Sequence, residues 1–389
     1  MPDSTPVQPE AYSFRNLLLY FLKLGSIGFG GPIALAGHME NDLVEERRWL
    51  TKDQYLRGLA LAQLAPGPLA AQLAMYIGYV EAGFLGATLV GGVFVLPSFI
   101  MVVLLGWVYT LYGGLSWMQA VFYGIGAAVV GIIIKSAYKL AKVTLKKQPL
   151  LWAIFGVMCL VTAVTEQEIV LLVVLAGIVA LIVLSPPRFL SERLGSFLPL
   201  INIPGLQIPL LTKLSALTGI FLFFAKAGSF VFGSGLAIVP FLHGSIVQQM
   251  HWLNERQFLD AVAVAMITPG PVVITVGFIG YLVAGLWGAV AAALGVFLPV
   301  WLVVVVLTPY YERFAKNPQV NAFVQGVTSA ATGAIAGAVI VLGRRAISDI
   351  PTALIAVATL GLLFKFKIPE PIIVIVAGLL GLVLFHYRG

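Results

Sequence analysis

The sequence predicts an all-α polytopic membrane protein of two homologous halves, an inverted-topology repeat with broken or re-entrant helices at Gly-rich and Pro-Gly-Pro motifs. Three observations carry this reading. Of 389 residues, 60% are apolar and 10% charged, with a mean hydropathy of +1.00, whereas soluble domains are about one quarter charged. The chain repeats itself: Phe21, Lys23, Gly25, Ser26, Phe29 and Gly30 return as Phe224, Lys226, Gly228, Ser229, Phe232 and Gly233 at an offset of 203. The breaks repeat as well, Pro66-Gly67-Pro68 recurring as Pro269-Gly270-Pro271. Duplicated units with interrupted helices are a common construction for membrane transporters.

The register extends further. Trp49 matches Trp252 and Gln54 matches Gln257; after a one-residue slip, Ile77–Ala87 matches Ile279–Ala289 and Pro97 matches Pro299. The first half divides into apolar segments near 14–36, 55–80, 84–112, 118–140, 150–165 and 168–185, and the second near 215–242, 258–282, 284–311, 320–343, 351–365 and 370–387. The two repeat domains are assigned to residues 1–200 and 201–389. Between the halves, 185–213 holds five prolines and reads as a linker with an interfacial piece. The N-terminal stretch 1–13 has no Lys or Arg and so lacks the basic start of a signal peptide, which predicts that the first apolar segment is retained.

Two segments per half are poor continuous helices. The first carries Gly25, Gly28, Gly30, Gly31 and Pro32, and the second carries Pro66-Gly67-Pro68. Proline removes a backbone donor and pushes the preceding residue out of helical geometry. In lipid, the freed backbone groups must be satisfied inside protein or beside a wet cavity. Loop charge then constrains topology. The connection between the first and second segments carries Arg47, Arg48, Lys52 and Arg57, and that between the fourth and fifth carries Lys135, Lys139, Lys142, Lys146 and Lys147. These share one side of the membrane, as the positive-inside rule requires, if the Pro-Gly-Pro segment enters and returns. Five crossings per half would follow, with the second half inverted. The equivalent loops of that half keep only Arg256, Arg344 and Arg345, as an inverted copy should.

The breaks are the candidate substrate site. Interrupted helices present unpaired N–H groups and positive dipole ends, which suit an anion at membrane depth. Gly25, Gly30, Gly31 and Gly228 allow close backbone approach, and Ser26 and Ser229 add hydroxyls. Lys23 and Lys226 precede these pairs by two residues. A lysine at the bilayer centre costs on the order of 3 kcal/mol on insertion scales; it faces an anion or snorkels to the interface. Close helix packing is the competing account of the glycines. Arg57 and Asp260 occupy equivalent positions nine residues before each Pro-Gly-Pro, either paired across the pseudo-twofold axis as a gate or coupling switch, or as ordinary loop-end charges.

Other chemistry is excluded. The net charge of +7 sits in short loops between apolar segments, which fits membrane topology and not nucleic acid. The glycine-rich stretch lacks the Lys-Ser/Thr of a phosphate-binding loop. The four histidines have no metal-ligand spacing, Cys159 stands alone, and no constellation for intramembrane hydrolysis is visible. No enzyme, metal or cofactor is implied.

Gly30-Gly31, twelve residues, Val44, four residues, Trp49, sixteen residues and Pro66-Gly67-Pro68 together resemble the signature of the chromate ion transporter family. Phe232–Gly235 and the second Pro-Gly-Pro are similar to the second domain of its long, fused members. The resemblance implies a multi-pass protein of the bacterial inner membrane that exports chromate and confers resistance, with sulfate as competitor or exchanged ion. One departure stands out: Gly31-Pro32 becomes Ser234-Gly235, which weights the first half as the main substrate site. The expected activity is secondary active chromate export, by protons or oxyanion exchange. A passive anion channel and a sulfate permease or exchanger are the alternatives. The lipid bilayer is the expected surrounding, and a homodimer is left open.

Overall fold

The computed structural model describes residues 12–29, 31–113, 115–145, 148–166, 170–186, 216–229, 232–233, 242–310, 317–366 and 368–385. The first half contains α1 (Phe14–Ile27), α2 (Gly31–Glu40, continued by a π-helical turn Asn41–Glu46), α3 (Lys52–Leu64), the two-residue strand β1 (Gly67–Pro68), α4 (Leu69–Tyr112), α5 (Ser116–Leu145), α6 (Pro149–Thr165) and α7 (Val170–Leu184). The second contains α8 (Ala216–Ser229), β2 (Phe232–Gly233), a π-helical turn His243–Gln249, α9 (Glu255–Ile267), α10 (Thr275–Leu307), α11 (Pro318–Ala346), α12 (Ile350–Lys365) and α13 (Glu370–Phe385). Among the described residues, α4, α5, α10 with its flanking turns, and α11 are long and apolar enough to cross a membrane.

Each half opens with two re-entrant hairpins. The Arg47 guanidinium lies 5.4 Å from the Tyr20 ring centre and Trp49 stacks on Tyr12 at 4.7 Å. A straight helix would hold residues 20 and 47 about 40 Å apart, so α2 returns alongside α1. Likewise a side chain at Gly58 would strike Tyr76, so α3 and the start of α4 fold back on each other at Pro66-Gly67-Pro68. The re-entrant reading of the second segment therefore holds. The first segment differs from expectation: 14–36 is not a crossing but the outgoing arm and turn of the first hairpin, with the start of its return arm α2. The described residues give each half two hairpins and four further helical passes, not five crossings.

The long helix α4 is itself two arms. Ala82 and Gly83 leave helical geometry, with Gly83 at φ +55°, and Ala284 and Gly285 repeat this in α10 with φ +62°. A left-handed residue here costs glycine little. The reversal is sharp enough that Gly78 and Gly86 press backbone to backbone, as do Gly280 and Gly288. This explains the repeated stretch Ile77–Ala87. The inner arm is the centre of the molecule: Leu69 to Gly78 are all buried, as are Val273 to Gly280.

The halves run in opposite directions. The Tyr12 hydroxyl donates to Glu81 at 2.6 Å, so both hairpins of the first half have their bases at one end, here the near end. The outer arm of α4 (84–112) leads to the far end, and α5, α6 and α7 alternate back and forth. Tyr123, early in α5 at the far end, donates to Asp349 at 2.7 Å, just before α12. Arg345, in the last turn of α11, pairs with Glu166, just after α6, and with Glu255 at the start of α9. The starts of α9 and α12 thus lie at the far end, while their first-half equivalents, α3 and α6, start at the near end. The inverted repeat survives although the crossing count that predicted it does not. The linker lies outside the described residues apart from Ser185 and Pro186.

The halves also interlock. α5 lies between α12 and α13, with Gly124 against Ala377 and Gly131 against Ala356. Reciprocally, α11 lies against α6 and α7, with Gly333 against Phe155 and Gly326 against Ala176. Small residues at these crossings let apolar helices approach closely without a hydrophobic driving force.

Candidate functional site

The hairpin tips are made by local backbone chemistry. Ala65 ends α3 in extended geometry (φ −87°, ψ 145°) and Thr268 ends α9 the same way, as residues before proline do. Gly67 at φ +143° and Gly270 at φ +84° complete the reversals. The outer ends of α3 and α9 are fixed by matching capping boxes, Thr51 with Gln54 and Asn254 with Gln257. The repeated Gln is thereby a helix cap. The repeated Trp is a brace, Trp49 against Tyr20 and Trp252 against Phe223.

The four tips meet. β1 pairs in parallel with β2, Gly67 opposite Phe232 and Pro68 opposite Gly233, so the second tip of one half joins the first tip of the other. The reciprocal junction is a hydrogen bond from Gly270 N–H to the Gly28 carbonyl, 2.8 Å. Ser98, fully buried on the outer arm of α4, donates to the Pro269 carbonyl at 2.7 Å and lies 3.3 Å from the Gly25 carbonyl. Gln72, also buried, donates to the Pro66 carbonyl at 2.7 Å, and its Oε1 has no hydrogen-bond partner among the described residues. A side chain on Gly25 would overlap the Phe94 carbonyl, and one on Gly228 would crowd Val296; close packing therefore accounts for these two glycines.

The tips carry a directional field. α2, the inner arm of α4, and the short 3₁₀ turn Val272–Ile274 leading into α10 all begin at the tips, which places positive helix ends there. Each Pro-Gly-Pro meets the first tip of the other half, Gly67 and Pro68 at Phe232 and Gly233, and Pro269 and Gly270 beside Gly25 and Gly28. Gly30, Ser234 and Gly235 lie outside the described residues. Ser26 and Ser229 bond instead to their own helices, donating to the Leu22 and Ala225 carbonyls. Lys23 and Lys226 are exposed on the outer faces of α1 and α8, one hairpin entering from each end.

Arg57 and Asp260 do not meet: they lie toward the bases of hairpins that enter from opposite ends. Arg57 pairs with Asp53 one turn away, 2.8 Å. Asp260 is buried and accepts from the Tyr109 hydroxyl at 2.6 Å. It lines a far-end cavity of about 320 Å³ with Gln119, Tyr123, Arg256, Arg345 and Ser348. Beside this cavity Arg345 contacts Glu166, Glu255 and His243, and Gln248 donates to Glu166. Burial, reinforced by Arg345, pushes the His243 imidazole down to about 4. At the near end, burial and then the Glu81 carboxylate raise the Tyr12 phenol above its ordinary range, so its hydroxyl stays a donor.

Sequence reasoning passed over Ser98, Gln72 and Tyr109. The available signal was a polar group inside an otherwise apolar helix, which must find a partner when buried.

A family model described as "Chromate transporter" matches residues 15–182 and 218–382, one match in each half. A chromate transport protein of Cupriavidus metallidurans is 58% identical over 99% of this chain and 97% of its own length. A probable chromate transport protein of Synechococcus elongatus is 57% identical over 96% of each chain. A chromate transport protein of Pseudomonas aeruginosa is 28% identical over 99% of this chain and 96% of its own length. No solved structure matches the chain.

Proposed function

The chain belongs to the chromate transporter family, and from that premise we propose that it is a secondary active transporter exporting chromate across the bacterial cytoplasmic membrane and conferring chromate resistance. The observation that carries the reading is the pairing of interrupted tips across the two oppositely directed halves, at two buried junctions. Unpaired N–H groups and positive helix ends hold a dianion there without a metal. Rocking of the hairpins against the long helices exposes these junctions to one end at a time. The tips are hydrogen-bonded to each other in this arrangement, which is the occluded one; chromate enters as they part. Lys23 and Lys226 serve the two approaches in turn, since one sits on each side of the tips.

Direction follows from charge. Arg15, Arg47, Arg48, Lys52, Arg57, Lys135, Lys139, Lys142 and Lys365 lie toward the near end, and Arg256, Arg344 and Arg345 toward the far end. The near end is therefore the cytoplasmic one. Sulfate, a tetrahedral dianion like chromate, competes at the tips. The boundary between the two repeats falls near residue 200, in the linker.

Purified protein in proteoliposomes tests the reading. Saturable chromate flux, inhibited by sulfate and able to run against a chromate gradient, is the expected result. Non-saturating conductance that only dissipates gradients overturns it in favour of a passive anion channel. Sulfate accumulation with no chromate flux overturns it in favour of a sulfate permease.

A further inference from the structure

Asp260 and Ser98 mark two points at which the same pair of elements is fastened. The outer arm of α4 holds the second hairpin of the other half at its tip, through Ser98 and the Pro269 carbonyl, and nearer its base, through Tyr109 and Asp260. The tip contact is neutral. The other depends on a group that can gain or lose a proton, and that group is 4% exposed yet lines the far-end cavity.

We propose that Asp260 is the proton-binding residue that couples chromate export to the proton gradient. This rests on the transport reading above. Water in the cavity delivers a proton from the far, non-cytoplasmic side to the carboxylate, giving the neutral acid and leaving water; no electron transfer is involved. A carboxylate accepts a stronger hydrogen bond from a phenol than a carboxylic acid does, so protonation loosens the Tyr109 contact and frees the hairpin to move. The equivalent residue of the first half is Arg57, whose guanidinium offers no carboxylate to accept such a bond. Coupling is therefore built into one half only.

The charged and titratable neighbours fit the role. Arg256 lies one turn earlier on α9. Arg345 and Tyr123 face the cavity from α11 and α5, with Gln119 and Ser348 as uncharged polar lining. Asp349 is engaged by Tyr123, and Glu166 and Glu255 by Arg345. Phe122 and Phe278 pack edge-on against the Tyr109 ring, which fixes the phenol that holds the carboxylate. Asp260 also stands about 13 Å along the hairpin from Pro269 by helical rise, so its charge does not compete directly with chromate at the tips.

The test compares two modes of transport in proteoliposomes, using labelled chromate. Under one pH unit of gradient, wild type should accumulate chromate by about tenfold per coupled proton, and it should also catalyse chromate–chromate counterflow without any gradient. Asp260→Asn should abolish gradient-driven accumulation while keeping counterflow within about twofold of wild type, against that tenfold scale. Tyr109→Phe should keep both activities and shift the pH at which counterflow is half-maximal. Wild-type counterflow with no pH-driven accumulation overturns the proposal and leaves chromate transport intact, whereas absent wild-type counterflow defeats the transport reading itself. Accumulation unimpaired in Asp260→Asn, or its loss together with counterflow, overturns the coupling role. So does an unshifted pH profile in Tyr109→Phe, a variant that retains the carboxylate.

Discussion

Gly270→Ala and Ser98→Ala together test whether the tips meet as described. A methyl group on Gly270 would overlap the Ser98 hydroxyl oxygen, while the Ser98 Cβ stands 3.4 Å away. Two costs follow for Gly270→Ala alone. Alanine at φ +84° is strained by about 1–2 kcal/mol, and overpacking a close contact adds about 1–3 kcal/mol. Ser98→Ala alone leaves the Pro269 carbonyl without its donor, costing about 0.5–2 kcal/mol in a membrane interior. In the double variant the colliding oxygen is gone, so the backbone strain and the lost hydrogen bond remain but the overpacking vanishes. The cycle should therefore show a favourable coupling of about 1–3 kcal/mol. Reversible denaturation of the four proteins in mixed micelles measures it, with chromate flux recorded in parallel. Additivity within about 0.5 kcal/mol would mean that the outer arm of α4 does not touch the second Pro-Gly-Pro, and the junction of the two halves would fall with it.

Three further outcomes can be checked independently. Gly86→Ala should destabilise the fold by about 2 kcal/mol or more because its methyl group meets the Gly78 carbonyl, whereas Gly92→Ala on the same arm, with open space around it, should stabilise by about 1 kcal/mol; equal thermal midpoints would contradict the helical reversal at Gly83. In a background with Cys159 replaced, Arg48→Cys and Arg256→Cys should label from opposite faces of intact cells with a membrane-impermeant thiol reagent, and labelling from one face would contradict the inverted repeat. Lys23→Ala should raise the KM for chromate about tenfold, a loss of ~1.4 kcal/mol, with kcat little changed; an unaltered KM would remove that lysine from the approach to the tips.

The repeat, the breaks and the return of the second segment were legible because each is written in residues with few alternative uses. Proline next to glycine, inside an apolar segment, leaves a helix little choice. The first segment misled because 14–36 is apolar and long enough to span, and its glycines could serve either a break or close packing. The telling residue was Trp49, which lies well past that segment and recurs as Trp252. It braces the base of the first hairpin against Tyr20 and Tyr12, which only a returning chain allows. The exchange of α5 and α11 between halves had no legible signal, since small residues at a helix crossing do not name their partner. The site residues divided likewise. Backbone breaks were readable, but Ser98 and Tyr109 acquire meaning only through the helices they touch.

The differences between the copies concern their ends more than their centre. At the near end, Arg47 lies over Tyr20 and Trp49, and Tyr12 reaches Glu81. At the far end, the aromatic brace persists as Phe223 and Trp252, and an ion network is added in which Arg345 ties the base of the second-half hairpins to Glu166 of the first half. Removing Arg345 would leave two partly buried carboxylates side by side, and breaking such a pairing costs more than the intact pair contributes. The two ends are therefore held by different contacts, aromatic stacking at one and partly buried charge at the other. The cavity lined by Asp260 lies beside that charged closure, so on the coupling proposed above protons from the far side would act at that end. The duplication thus supplies the fold, and the two copies diverge chiefly at the hairpin bases.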